Sequence, residues 1–322
     1  MPLSEFDLIR KYFQKPFKDY PDVRYGIGDD AAVVTVPSGM ELALSMDTLV
    51  AGIHFTNRTA PEDIGYKALA VNLSDMAAMG AEPRWVTMSL TLPENDPAAW
   101  LERFMTGFSL LAKKYSVSLI GGDLSRGPLS ITLQIHGWLP AGTAITRGGS
   151  KPDDLIYVSG TLGDAGLALK LLSDQLSIPD KYRAFVLDRL NRPGPRIDLG
   201  LALRHIATSA IDISDGLIAD LGHILDASHA GALLNPDKLP LSDAMRHADV
   251  ADEEKWEIAV TSGDDYELCF TIPPDKKTGF EKKQISDCPI TCIGKIIREQ
   301  EMRWVRTDGS GYTPRGSGYK HF

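Results

Sequence analysis

Residues 26–34 read GIGDDAAVV, and they force the first decision about the fold. Gly26, Gly28 and Ala31 satisfy the loose dinucleotide fingerprint GxGxxA. That motif works only where a strand enters the glycines and a helix leaves them, so that the helix N-terminus faces a pyrophosphate. Here the approach, residues 18–25, is polar and carries Pro21, while the exit, residues 32–36, is strand-like. The context is inverted, so a nicotinamide oxidoreductase loses its structural basis. What remains is a glycine turn holding two adjacent acids, Asp29 and Asp30.

Outward from this turn, short β-branched runs alternate with amphipathic helical stretches. A turn at Pro37, Ser38 and Gly39 joins the 32–36 run to a strand over 42–46. Ser4 is the expected N-cap of a helix over 5–13, and Pro61 suits the first turn of a helix reaching Met79, with Gly80 as its stop. Strands are expected over 85–92, 117–120 and 131–138, with a helix over 97–115; the 117–120 strand runs into Gly121, Gly122 and Asp123. Residues 140–154 (PAGTAITRGGSKPDD) are rich in Gly, Pro and charge and lack an apolar period, which marks a boundary near Ala141. The second half continues with strands over 155–158, 210–213, 266–272 and 290–293. Its helices are expected over 164–172, 183–190 and 215–227, the last with Asp215 as a good N-cap. The reading is an α/β or α+β chain with domains over 1–140 and 141–322.

Composition agrees with two domains, since 322 residues exceed the roughly 100 to 200 that one domain usually holds. Hydrophobic residues make up 43% and charged residues 24%, ordinary globular values. No apolar run approaches the ~18 residues of a membrane span, and the N-terminal stretch MPLSEFDLIRKYF is unlike a signal peptide. The expected location is cytoplasmic. A net charge of -9 argues against nonspecific binding to nucleic acid or an anionic membrane. Cys269, Cys288 and Cys292 make neither an even set nor a CxxC pair, and read as buried, reduced thiols.

The strongest chemical pattern is a series of aspartates at the ends of apolar runs: Asp29 and Asp30, Asp47 in SMDTL, Asp123 in LIGGD, Asp212 and Asp215 in DISDGL, and Asp264 and Asp265 in SGDDYEL. Each taken singly is ordinary turn or cap chemistry. Turns, however, accept Asn, Ser and Gly equally well, and the excess here is in carboxylates. Asp75 differs, because it lies inside a helix and shares a face with Asn72. Carboxylates are hard ligands, and Mg2+ sites commonly use one or two of them with water and phosphate oxygens. HExxH and paired CxxC motifs are absent, as are GxxxxGK[ST], HRD and DFG. Phosphates would then be held another way, by backbone N–H groups at Gly121 and Gly122 and by the fork of Arg147.

Taken together, GIGDDAAVV, SMDTLVAGIHF, YKALAVNLSDMAAMGA, LIGGDLSRG, AIDISDGLIADLGHI, SGDDYELCF and the closing GYKHF resemble the bacterial thiamine-monophosphate kinase family across almost the whole chain. Pieces of the pattern recur in the wider superfamily related to aminoimidazole ribonucleotide synthetase. The resemblance implies a two-domain aminoimidazole ribonucleotide synthetase-like fold: an N-terminal sheet domain that dimerises, and a C-terminal α/β domain. It implies ATP and thiamine monophosphate as substrates and several Mg2+ ions. By position it assigns Asp30, Ser45, the Met46 carbonyl, Asp47, Asp75, Asp123, Asp212 and Asp215 to metal. Gly121, Gly122, Arg147 and Ser214 go to ATP, and His54, Asp264 and Tyr319 to the substrate end. No residue is assigned as general base or covalent nucleophile. Met46 and Leu124 stand where the family often has Thr, Asp264 where it has Glu, and Lys320 where it has Asp. A related enzyme with another small acceptor and a noncatalytic nucleotide sensor are the competing readings.

Overall fold

A computed structural model describes residues 5–14, 21–93, 97–282 and 288–320; Ser4, the expected cap, lies outside them. The chain divides into two compact units, Met1–Met76 with Ala81–Gly142, and Ala77–Gly80 with Thr143–Phe322.

In the first unit, α1 (Glu5–Leu8) continues as a π-helical segment over Ile9–Gln14. β1 (Val23–Tyr25) and β2 (Val33–Val34) pair antiparallel across the glycine–aspartate turn. A short strand therefore does enter the glycines, contrary to expectation. A strand rather than a helix leaves them, so the dinucleotide turn stays excluded. The turn before Met40 closes as expected, its N–H reaching the Pro37 carbonyl at 3.2 Å, but β2 pairs with β1 and not with the strand that follows.

That strand is β3 (Met40–Val50), followed by α2 (Pro61–Ala78), β4 (Glu82–Leu92), α3 (Pro97–Lys114), β5 (Ser118–Arg126) and β6 (Ser130–Pro140). The sheet order is β3-β6-β4-β5. Only the β4–β5 pair is parallel, because α3 carries the chain back between them. Leu69, Leu73 and Met76 of α2, Phe104 and Phe108 of α3, and Val86, Leu90, Ile131 and Ile135 of the sheet are fully buried. α2 stops where Gly80 turns left-handed (φ 64), the N–H groups of Gly80 and Ala81 returning to carbonyls of the last turn at 3.0 and 2.8 Å.

The second unit contains β7 (Leu155–Ser159), α4 (Asp164–Leu172), α5 (Arg183–Asn191), α6 (Ile197–Leu203), β8 (Ser209–Asp212) and α7 (Leu217–Ser228). β9 (Gly231–Leu234), α8 (Asp243–Arg246), α9 (Asp252–Thr261), β10 (Leu268–Ile272), α10 (Lys277–Glu281), β11 (Ile290–Ile297), β12 (Met302–Val305) and β13 (Gly311–Tyr312) follow. They form a seven-stranded sheet, β13-β12-β9-β11-β7-β10-β8. Its pairs are antiparallel except β9–β12, so of the two fold classes expected, α+β describes it. Ile156, Val158, Ile211, Leu221, Ile224 and Ile296 belong to one core cluster on this sheet.

Ahead of β10 lies a buried ionic knot. Glu267 accepts from Arg189 at 2.9 Å, from Arg196 Nε at 2.6 Å and from Ser159 at 2.6 Å. Asp265 accepts the Gly163 N–H at 2.8 Å. Such a network fixes a unique backbone path more than it adds stability, and the path it fixes leads out of Asp264.

No helix among the described residues is long and apolar enough to cross a membrane. Of the three thiols only Cys269 is buried; Cys288 and Cys292 are partly exposed, which corrects the expectation for those two. Replacing Leu90, which is completely buried, by Ala should lower unfolding stability by about 2–5 kcal/mol. A urea titration with unchanged slope and a lower midpoint would show it, and an unmoved midpoint would contradict this core.

Candidate active site

β3 is built inside out. Its outward-facing residues Leu42, Leu44, Met46 and Val50 are apolar and exposed, Met46 by 62%, with Thr48 the polar exception on that face. The residues between them, Ser45 and Asp47, face inward together with buried Leu49. Asp47 does not stand at a strand exit, as the apolar-run reading expects, but mid-strand opposite Leu133 of β6. Asp75, near the end of α2, meets this inner face: the Ser45 hydroxyl donates to its Oδ2, and its carboxyl hydrogen-bonds with that of Asp47. Asn72, one turn earlier, is buried and donates to the Ala68 carbonyl at 3.1 Å, while its Oδ1 has no hydrogen-bond partner.

Two carboxyls this close cannot both ionise freely. Burial first, then the charge of Asp75 and the hydrogen bond with it, push Asp47 up to about 7. A hydroxyl and two carboxylates are hard oxygen donors, in the number Mg2+ generally takes from protein, and a dication at this pair would remove the repulsion. The fit is therefore chemical as well as positional. Among the described residues no group of three or more His, Cys, Asp or Glu stands ready as a metal cage. Asp30 is exposed on the glycine turn and forms no hydrogen bond to Ser45, Asp47 or Asp75.

Gly121, Gly122 and Asp123 are not a loop after the strand. β5 carries straight through them, pairing with Thr87, Met88 and Ser89. Gly122 has φ 151, and a Cβ there would sit 1.9 Å from the Met88 carbonyl oxygen; the parallel pairing survives only without a side chain. The bare backbone opens a mainly apolar cavity lined by these three residues and by Ile9, Phe13, Ile27 and Leu124. Asp123 at its edge accepts the Ser125 hydroxyl at 2.6 Å. Ile9 and Phe13 were not anticipated as site residues, since their spacing reads only as one apolar helix face. His54, in the turn after β3, accepts the Val50 N–H on Nδ1 at 3.0 Å.

In the second unit a single loop, residues 213–216, organises the remaining candidates. Asp212 is the last residue of β8 and is buried. The Asp264 N–H donates to the Ser214 carbonyl at 2.8 Å, and the Tyr319 N–H to the Asp215 carbonyl at 2.8 Å. Asp264 itself is left-handed (φ 60), and the Tyr319 side chain is 47% exposed. Asp215 does not cap α7: the cap position is Gly216, with no side-chain bond. Asp220, inside the helix, does the work instead, its Oδ2 accepting the N–H groups of Ser214, Asp215 and Gly216 at 3.0, 3.0 and 3.1 Å. Burial raises Asp220 to about 7 against the pull of those bonds. The sequence did carry a signal, a carboxylate among buried Leu217, Leu221 and Ile224, the same anomaly that singles out Asp75. Arg147 is exposed, but on a fixed ledge: Thr146 accepts the Ala210 N–H at 3.1 Å, and the N–H groups of Gly149 and Ser150 both bond Ser228 at 3.2 Å.

The acid pair predicts an unusual pH dependence. Folding raises Asp47 from the ordinary value of about 4 to about 7, so across this window the native state binds more protons than the unfolded one. That contribution to stability is lost as pH rises through the window and levels off above it. Without divalent cations, Asp75→Asn should gain thermal midpoint relative to the parent as pH goes from about 5 to about 8; a constant difference would remove the coupling.

Comparison with known proteins bears on this geometry. Residues 28–139 match the AIR synthase related protein, N-terminal domain family. The chain is 49% identical to a thiamine-monophosphate kinase of Salmonella typhimurium, covering 100% of this chain and 99% of that protein. Among solved structures it is similar to thiamine-monophosphate kinase from Stenotrophomonas maltophilia, with 42% identity, TM-score 0.86, and 97% and 99% of the two chains covered. It is also similar to AaThiL complexed with AMPPCP and TMP, with 31% identity, TM-score 0.77, and 100% and 99% covered. By identity over its full length, the chain belongs to the thiamine-monophosphate kinase family.

Proposed function

We propose that this chain transfers the terminal phosphoryl group of ATP to thiamine monophosphate, giving ADP and thiamine diphosphate, in the cytoplasm. The observation that carries the reading is the Ser45–Asp47–Asp75 group in a chain of this family: two acids held together on the inner face of a strand. The complex of AaThiL with AMPPCP and TMP supports the same substrate pair.

The acceptor is itself a phosphate, ionised near pH 7, so no general base is needed to make a nucleophile. The obstacle is charge. Two groups of about -2 each, roughly 4 Å apart, repel by ~4 kcal/mol in bulk water and ~16 kcal/mol at an effective dielectric near 20. Asp30, Ser45, the Met46 carbonyl, Asp47, Asp75 and Asp123 in the first unit, and Asp212 and Asp215 in the second, are the residues that would hold magnesium, which when bound would supply positive charge to offset this repulsion.

The chain's own groups do the positioning. The cavity beside Gly121 and Gly122 suits the base of ATP, an apolar slot against bare backbone. Arg147 offers a two-pronged donor for phosphate from its ledge, and Ser214 a hydroxyl from the 213–216 loop. At the substrate end, His54 has Nδ1 occupied as an acceptor, so the neutral ring carries its proton on Nε2 and can donate to a phosphate oxygen. Tyr319 presents a ring face suited to a cationic heterocycle. Met46 contributes only backbone, so its replacement of the family's Thr is tolerated. Leu124 brings no hydroxyl, and lines the cavity with carbon instead. Asp264 is one methylene shorter than the family's Glu. Lys320 replaces an acid beside Tyr319. Transfer is then direct and in line, with alignment and neutralisation as the sources of rate.

The exposed apolar face of β3, on a strand at the sheet edge, is the surface we assign to homodimerisation, since an isolated subunit gains nothing by showing Leu42, Leu44 and Met46 to water. Leu44→Asp should shift the mass seen by light scattering from dimer to monomer; a monomeric parent chain would remove this assignment.

The direct test is incubation with ATP, Mg2+ and thiamine monophosphate, followed by chromatography for equimolar ADP and thiamine diphosphate. ATP binding without product would favour a sensor. Asp47→Asn and Asp75→Asn should stay folded by circular dichroism yet lose at least about 100-fold in turnover and need more Mg2+. Parent-like turnover in both would sink the metal assignment. Tyr319→Ala should weaken thiamine monophosphate binding while sparing ATP.

A further inference from the structure

Asp220 belongs to no set of ligands assigned above, yet it is 3% exposed and spends one oxygen on three consecutive backbone N–H groups. A carboxylate in the first turn of a helix ordinarily faces the helix's own free N–H groups. This one reaches back four to six residues and gathers the loop that precedes the helix. The carbonyls of the same loop point the other way, Ser214 to the Asp264 N–H and Asp215 to the Tyr319 N–H. The Ile213 carbonyl takes the Tyr266 N–H at 2.8 Å, and the Ile213 N–H donates to the Glu267 carbonyl at 2.8 Å. The loop is thus a hub, with the donors of residues 214–216 on Asp220 and the carbonyls of 213–215 holding the segments that carry Asp264 and Tyr319. Packing against it is tight: a Cβ on Gly263 (φ 69) would stand 2.3 Å from the Ser214 carbonyl oxygen.

We infer that Asp220 is a positioning residue for phosphoryl transfer: by holding the 214–216 amides it sets the direction of the Asp215 carboxylate and Ser214 hydroxyl, and through their carbonyls the places of Asp264 and Tyr319. It touches neither substrate nor metal. Its contribution is geometric, because displacement of a reacting group by about 1 Å commonly costs on the order of 100-fold in rate. Three amides left without an acceptor would each seek water, and the loop would open locally while the sheet beneath stayed intact.

The inference rests on the kinase reading for its turnover arm only; its other arm is read on the free chain. In Asp220→Ala, amide hydrogen exchange in peptides spanning 213–217 should quicken by at least about tenfold, with 262–266 and 317–320 following, while β7, β10 and the first unit keep parent rates. The same variant should lose roughly 30-fold or more in kcat and need about tenfold more Mg2+ for half-maximal rate. Asp220→Asn keeps an acceptor oxygen in place and should restore both readouts most of the way. Asp220→Glu keeps the charge but moves the oxygen by a methylene and should not, which preserves the test if Asp220→Ala fails to fold. Unchanged exchange in 213–217, exchange raised uniformly over the second unit, or a Glu variant matching the parent would each overturn the inference. A parent chain without kinase activity but with faster exchange in Asp220→Ala would instead count against the kinase reading alone.

Discussion

Two carboxyl groups forced into hydrogen-bonding distance are the constraint around which the first unit is arranged. Asp47 and Asp75 come from a strand and a helix that have apolar reasons to pack, so core burial elsewhere in the unit sustains a polar contact that is unfavourable by itself. The Ser45 hydroxyl relieves part of the strain by donating to Asp75, and protonation of Asp47 relieves more. Neither satisfies all the lone pairs. A site of this kind favours a proton, as the rise of Asp47 to about 7 records, and a hard cation would relieve the same repulsion.

The second unit solves a different problem by different means. Its candidate residues are laced together by main chain. The loop 213–216 exchanges backbone hydrogen bonds with residues 264, 266, 267 and 319, and the buried Glu267–Arg189–Arg196 knot anchors the far side of the 264–267 turn. Backbone lacing tolerates replacement of the side chains it carries, since the Asp264 N–H holds its place on the Ser214 carbonyl whatever side chain it bears.

Much of this was legible beforehand and some was not, for physical reasons. The long helices and the β4, β6 and β7 strands follow from apolar period and from Pro and Gly punctuation. The strand-like exit of GIGDDA was read correctly and excludes a dinucleotide turn, whereas the strand that enters it was missed, because β1 is only three residues long and too short to show a pattern. The end of β5 was misread because glycines signal turns, whereas Gly122 is there to let two parallel backbones approach. Asp47 was placed at a strand end because the apolar run stops; the strand does not, since the alternation merely changes which face is polar. Asp215 reads as the cap of α7, but no side chain caps that helix, and Asp220 holds the loop before it instead. Sequence rules look for caps one residue before the helix, and cannot see a side chain that folds back from inside it.

The reversed polarity of β3 makes chain length matter there more than side-chain identity. With Leu42, Leu44 and Met46 outward and Ser45 and Asp47 inward, deleting or inserting one residue between Gly39 and Ser45 would swap these two sets at once. Leu44 and Met46 would be pressed toward α2, and both acids of the pair would no longer share a side of the sheet. Single replacements along this strand are survivable errors, whereas a frame change of one residue would cost the acid pair and the apolar surface in the same event.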